Sequence, residues 1–430
     1  ATDGQVEAAW VRVPASQTGV MESDPGGPYH AVPSQQSLRD SEMTFHDRAA
    51  FPRGFSCASR NCGLKPSGKD LALFVSEVDC AASALFTRNQ FPGAPVVLGR
   101  ETIRGGSLRA IVANSKCSNV ATGQQGLDNA RRMARAAAAE LGSSAERVLV
   151  SSTGVIGVQL PIEKIERGLQ GMKRDLTSDP LVGAEGIMTT DTHPKALSAS
   201  AEGATITWVA KGSGMIEPNM ATMLVYIFTD AALGAPQLDR MLRDAARVSF
   251  NMLSVDTDTS TSDTCVLMAN GLAGVVDQTE FSRVLTAGCV RMTEMLARDG
   301  EGAKHLLRAT VRGAATESEA RRIAKSLVNS PLVKTMVHGA DPNVGRILMA
   351  VGKCFDCTIR PESTDAWING HSVVRGGQRL EFDEAALRTA LAAETIDIGV
   401  SLGVADGSAT AYGCDLTAGY IQENAAYYSS

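Results

Sequence analysis

Nothing constrains the architecture of this chain more than its short, unbroken apolar runs, which recur in both halves between stretches of helical character. Asp70-Leu-Ala-Leu-Phe-Val75 reads as a buried strand, and residues 95–98 and 108–112 read the same way. Residues 127–141 have the composition of a helix and stop at Gly142, a residue type favoured just past a helix end. Residues 148–150 predict a strand, and Pro161 opens a further helix. Thr205-Ile-Thr-Trp-Val-Ala210 alternates as a half-buried strand does. In the second half Met223-Leu-Val-Tyr-Ile-Phe228 is a continuous apolar strand. Residues 236–252 and 281–298 predict helices, residues 264–268, 347–351 and 398–404 predict strands, and Asn369-Gly370 marks a hairpin turn. The elements mix without a strict βαβ rhythm, which predicts a layered α/β protein with mixed sheets and flanking helices. Residues 1–50 are rich in Ser, Pro, Gly, Asp and Gln and read as a flexible N-terminal extension.

Composition removes several function classes. With 44% hydrophobic residues in 430, the chain can bury a sizeable core. A net charge of −6 and the lack of a basic tract with interleaved aromatics argue against nucleic acid or an anionic membrane as partner. No apolar run approaches the ~18 residues that span a bilayer. No basic region followed by an apolar stretch marks a secretory signal, so a cytoplasmic location is expected. The nine cysteines are odd in number and scattered, as reduced thiols are. Cys354 and Cys357 form a lone CxxC without a second ligand pair, and are read as two thiols near a strand end rather than as a zinc site. The sequence holds no GxxxxGK[ST] phosphate loop, no HExxH and no GxSxG. The six histidines are scattered, so a His-assisted serine or cysteine enzyme is not supported. No metal or cofactor is expected.

The informative stretch is Lys211-Gly-Ser-Gly-Met-Ile-Glu-Pro-Asn-Met-Ala-Thr-Met223. Glycines permit a tight backbone, Ala221 is small, Thr222 carries a hydroxyl, and an apolar strand follows. An N-terminal nucleophile needs this order. The hydroxyl must reach the preceding carbonyl past a small residue. After scission the freed α-amine, with a reference pKa of roughly 7.7–8.0, serves the same threonine as general base. A glycine loop leading into a strand is the plainer reading of the same residues.

Lys211-Gly-Ser-Gly-Met-Ile216, Pro218-Asn-Met-Ala-Thr-Met-Leu224 and Thr229-Asp-Ala231 resemble the self-cleavage segment of the ornithine acetyltransferase (glutamate N-acetyltransferase) family. Ser152-Thr-Gly-Val-Ile-Gly157, Asp256-Thr-Asp-Thr-Ser-Thr-Ser-Asp-Thr264 and Asp299-Gly-Glu-Gly-Ala303 resemble it too. So do Asn329-Ser-Pro-Leu-Val-Lys-Thr335 and Asp341-Pro-Asn-Val-Gly-Arg346, in the same order. The resemblance runs from about Pro52 to the C-terminus. Asn114-Ser-Lys-Cys-Ser-Asn119 departs from the family's Asn-Ser-Gly-Asn-Ala-Asn by the charge of Lys116. Val120-Ala-Thr-Gly123, Thr189-Thr-Asp-Thr192 and the Thr-Ser-Thr-Ser run at 259–262 are closer to family members of antibiotic pathways.

The resemblance implies the DmpA/ornithine acetyltransferase-like fold, cut between Ala221 and Thr222 into an alpha fragment, 51–221, and a beta fragment, 222–430, assembled as a heterotetramer of two of each. It implies Thr222 as nucleophile, Thr122 and Gly123 as oxyanion hole, and Thr153, Lys211, Glu301, Asn424 and Ser429 as substrate contacts beside Thr222. A lysine suits a carboxylate and a glutamate an ammonium, so one of each fits a zwitterion. Taken singly, Thr122 could simply cap a helix, and Lys211 and Glu301 could be solvated surface charges. The implied reaction is a ping-pong acetyl transfer from N-acetylornithine to glutamate in arginine biosynthesis. Alternatives are a same-fold acyltransferase of secondary metabolism, a self-cleaving amidohydrolase or aminopeptidase, and an uncleaved amino-acid-binding protein.

Overall fold

The computed structural model describes residues 45–217 and 223–425. The first half runs β1 (Phe55–Arg60), β2 (Leu71–Phe86), α1 (Ala94–Thr102), β3 (Ser107–Asn114), α2 (Gly123–Leu141) and β4 (Val148–Ser152). It continues through α3 (Ile162–Leu169), α4 (Pro180–Ile187), β5 (Lys195–Ala201) and β6 (Ala204–Lys211). The second half runs β7 (Leu224–Ala231), α5 (Ala235–Val248), β8 (Thr264–Gly274), α6 (Gln278–Arg298), β9 (Leu306–Ala314), α7 (Glu317–Val328), α8 (Pro331–His338) and α9 (Gly345–Gly352). It ends with β10 (Asp365–Ile368), β11 (His371–Arg375), β12 (Gln378–Arg379), α10 (Glu384–Leu391), β13 (Thr395–Ser401), β14 (Gly407–Cys414) and α11 (Ala418–Ala425).

The strands form two mixed sheets. One has the order β4-β3-β2-β8-β7-β6-β5, with β1 paired to β2; the other has the order β12-β11-β10-β13-β9-β14. The β3–β4, β7–β8 and β9–β13 pairs are parallel and the rest antiparallel. Lys211 at the end of β6 lies opposite Leu224 at the start of β7, so both sides of residues 218–222 belong to the same sheet.

The pattern of the apolar runs follows from which strands are covered twice. Every residue of β7 is buried. Val225 and Ile227 face a core shared with α5, α6 and the second sheet, while Tyr226 and Phe228 face one shared with α4 and Phe74. A strand covered on both faces has no polar side to show, which is why residues 224–228 read as unbroken. The same coverage corrects β6. Its alternation predicts a half-buried strand, yet all but Thr205 is buried, because α6 and α4 sit on opposite faces. Helix α6 touches β5 and β6 of one sheet and β9 and β14 of the other, and so lies between them.

Two predicted strands are helices. Residues 95–98 open α1, where Pro95 stands in the first turn and sacrifices no hydrogen bond. Residues 347–351 lie in α9, with Ile347, Ala350 and Val351 buried at helical spacing. The Cys354–Cys357 pair therefore follows a helix rather than a strand end. The Asn369-Gly370 turn joins β10 to β11 with both residues at positive φ, 44° and 82°. Helix α2 ends at Gly142 in the left-handed region, φ 68°. Of the stretch read as an extension, residues 1–44 lie outside the described residues. Residues 45–50 rest on β5, with Phe45 bridged to Ala199 and the His46 and Ala50 amides bonded to Ser198. Among the described residues no helix is long and apolar enough to cross a membrane.

Candidate active site

Four strand and helix ends converge on one cleft. Lys211 ends β6, Thr153 follows β4, Glu301 follows α6 and Asn424 sits on α11; all four line the cleft. Lys211 Nζ donates to Thr153 Oγ1 at 3.3 Å, and Asn424 Nδ2 donates to Glu301 Oε2 at 2.7 Å. Lys211, Glu301 and Thr153 are 8%, 9% and 9% exposed, which rules out the reading of Lys211 and Glu301 as solvated surface charges. Gly214 admits the Glu301 carboxylate: a Cβ there would lie 2.2 Å from Oε2.

Beneath Lys211 lies an ionic layer that sequence reasoning missed. Lys195, wholly buried, pairs with Asp191 at 2.7 Å and with Asp299. Asp191 also accepts the Gly212 and Thr189 amides at 2.7 and 2.9 Å. Burial pushes the Asp191 carboxyl up, but Lys211, Lys195 and the Gly212 amide outweigh it and hold it at about 2. Burial lowers the Lys211 pKa, opposed first by Asp191. The aspartate thus offsets part of the cost of burying the Lys211 ammonium. Across the cleft, the Thr261 and Ser262 hydroxyls are buried on the wall and have no hydrogen-bond partner among the described residues. They belong to the Asp256–Thr264 motif, a resemblance that assigned them no role.

Thr122 and Gly123 line a second cleft, with Phe91, Val97 and Leu127. Thr122 occupies the position before α2, but its hydroxyl makes no capping bond and donates instead to Asn119 Oδ1 at 2.8 Å. Simple helix capping is therefore not what this threonine does. Asn119 Nδ2 donates to the Gly126 carbonyl at 2.9 Å, and Gln159 Nε2 to the Thr122 carbonyl at 3.0 Å. A Cβ at Gly126 would lie 1.9 Å from Thr122 Oγ1, so only glycine fits. Lys116, Asn119 and Ala121 hold positive φ of 78°, 54° and 57°, a backbone that costs of order 1–3 kcal/mol at each non-glycine residue.

The two clefts share a wall. The Val155 amide donates to the Lys116 carbonyl, Ser118 to Val155, and Gly157 to Val120, each at 3.0 Å, lacing Thr153's loop to Thr122's. Ala221, Thr222 and Ser429 lie outside the described residues. Among the described residues, no cluster of three or more His, Cys, Asp or Glu side chains could hold a metal ion. What the arrangement offers is a buried lysine and a buried glutamate lining one cleft, beside a loop that leads into a helix N-terminus.

A family model described as the ArgJ family matches residues 56–429. An arginine biosynthesis bifunctional protein ArgJ of Rhodococcoides fascians is 42% identical over 382 residues, 88% of this chain and 95% of that protein. A glutamate N-acetyltransferase Oat2 of Streptomyces clavuligerus is 43% identical over 383 residues, 87% of this chain and 98% of that protein. The crystal structure of an arginine biosynthesis bifunctional protein argJ from Bacillus halodurans is 36% identical, covering 47% of this chain and 98% of that chain at a TM-score of 0.46.

Proposed function

The chain belongs to the ArgJ family, and from that premise we propose that it transfers an acetyl group from N-acetylornithine to glutamate through an acetyl-threonine at Thr222. The observation that carries this reading is a buried lysine, Lys211, and a buried glutamate, Glu301, lining the same cleft. Lys211, with Thr153, takes the substrate carboxylate; Glu301, oriented by Asn424, takes a cationic amine. Both substrates are amino acids, so one cleft serves donor and acceptor in turn. Ser429 is a further contact in this reading.

Self-cleavage prepares the nucleophile. The Thr222 hydroxyl attacks the Ala221 carbonyl carbon, and the peptide C–N bond breaks to leave an ester. Water hydrolyses the ester, giving an Ala221 carboxylate and a Thr222 carrying both hydroxyl and free amine. In turnover Thr222 Oγ attacks the acetyl carbonyl of N-acetylornithine while the α-amine takes its proton. The C–N bond breaks, and ornithine leaves with that proton. Glutamate's neutral amine then attacks the acetyl ester and departs as N-acetylglutamate, returning the hydroxyl. Thr122 and Gly123 stabilise the oxyanion at both steps; losing one such donor typically costs about 10²–10³ in kcat. The divided chain assembles as two alpha and two beta fragments and works in the cytoplasm.

Two measurements test the reading. A denaturing gel of active enzyme should show two fragments of nearly equal size, and a single full-length band would sink the mechanism. Intact-mass spectrometry after N-acetylornithine should add one acetyl group to the C-terminal fragment alone, lost again on adding glutamate or ornithine but not other amino acids.

A further inference from the structure

Glu217 is the last described residue before 218–222, and a part of the molecule that the chemistry above does not use takes up its side chain. Lys325 Nζ, on α7, lies 3.4 Å from Glu217 Oε1. Asn329, just past α7 and first residue of a motif left without a role, donates through Nδ2 to Oε2 at 2.8 Å. The Ser254 hydroxyl donates to the same oxygen at 3.4 Å. Lys325 Nζ also donates to the Leu253 carbonyl at 2.6 Å. The ion pair is mostly withdrawn from water, with side chains 16% and 23% exposed.

The backbone around Glu217 is tied as well. The Met215 and Ile216 amides donate to Asp256 at 2.7 and 2.8 Å, and the Glu217 amide to the Asp258 carbonyl at 3.0 Å. On the downstream side, the Thr264 amide donates to the Met223 carbonyl at 2.9 Å. Both flanks of 218–222 are therefore anchored on residues 256–264. The backbone bonds tie one loop to another. Among the described residues, the Glu217 side chain is what ties the flank to a helix, and that helix lies after Thr222 in the chain.

We propose that the contact of Glu217 with Lys325 and Asn329 is a positioning clamp for self-cleavage, holding the upstream flank against the part of the protein that becomes the other fragment. The proposal rests on the reading of Thr222 as a self-cleaving nucleophile. Attack on the Ala221 carbonyl needs the hydroxyl held in a near-attack geometry, and each residue of slack multiplies the conformers that miss it. The Glu217 carbonyl also accepts from Thr259 Oγ1 at 2.9 Å, and a charge-assisted tie to a rigid helix adds a side-chain hold to these backbone bonds. After scission, 217–221 is no longer joined to Thr222, so the clamp ceases to bear on acetyl transfer. Glu217, Lys325 and Asn329 are positioning residues, not catalytic ones.

The test is a time course of division of the full chain made by cell-free translation, followed by kinetics of the processed enzyme. Glu217→Gln and Lys325→Met should each slow division by about 10- to 100-fold, with Asn329→Ala slowing it less. The kcat and KM of the processed material should stay within about twofold of wild type, and its melting temperature should hold. Should Lys325→Met misfold around an unpaired carboxylate, the double variant Glu217→Gln/Lys325→Met carries the same measurement. Division at the wild-type rate in these variants overturns the clamp and leaves the nucleophile reading intact. Slowing matched by an equal fall in kcat or a fall in melting temperature also overturns it, as the mark of general support. A wild-type chain that never divides overturns both.

Discussion

The two clefts are held rigid by opposite means. Around Lys211 the order comes from charge: two lysines and two aspartates, buried together, fix one ammonium where a carboxylate would arrive. Around Thr122 the order comes from backbone shape: three non-glycine residues in left-handed conformations, kept there by neutral hydrogen bonds from Asn119 and Gln159. Each means suits its task. Recognising an amino acid requires full charges, which are costly to bury and so must be paired in layers. Stabilising a transient oxyanion requires N–H groups at fixed positions, and those are set by φ and ψ rather than by side chains.

If that contrast is right, the clefts fail differently. The largest effect is expected at Gly126→Ala. Its methyl would displace Thr122 and spoil the oxyanion geometry, lowering kcat by about 10²–10³ with little change in KM. A rise in KM at constant kcat would place Thr122 in ground-state binding instead. Next, Lys211→Met removes the charge that meets the carboxylate and should lower kcat/KM by about 10- to 100-fold. An unchanged KM for both N-acetylornithine and glutamate would break the assignment. Third comes pH. Asp191 titrates at about 2 in the fold, below its ordinary value of 3.8, so its contribution is present above pH 4 and is lost as pH falls toward 2. Acid unfolding followed by circular dichroism should lose a component of about 2 kcal/mol in that window in Asp191→Asn. An unaltered acid limb would mean the layer beneath Lys211 does not couple to folding. The smallest effect is expected at Asn424→Ala, which frees the Glu301 carboxylate at one oxygen and should raise KM roughly threefold to tenfold while kcat holds.

Much of the fold was legible because twofold burial leaves a mark on sequence. The runs at 71–75 and 224–228 are apolar because layers cover both faces of their strands. Helix α2 was legible from its small and charged residues and its terminal Gly142. Residues 95–98 and 347–351 were misread because four or five apolar residues suit a buried strand and a buried helical turn equally well. In the site, the motifs pointed to Lys211, Thr153, Glu301 and Asn424, and the fold brings these four to one cleft.

What residue order settled, then, was local: where strands and turns fall, which glycines admit a tight backbone, and which side chains carry charge. What tertiary structure alone decided was which of them meet. Lys195 looks like any strand lysine until it is found between Asp191 and Asp299, 104 residues from the latter (299 less 195). Gly126 looks like a weak point in a helix until Thr122 is found against it. Asn329 joins Glu217 across 112 residues. Contacts of such separation leave no periodic trace, because periodicity records only the face a residue presents, never its partner.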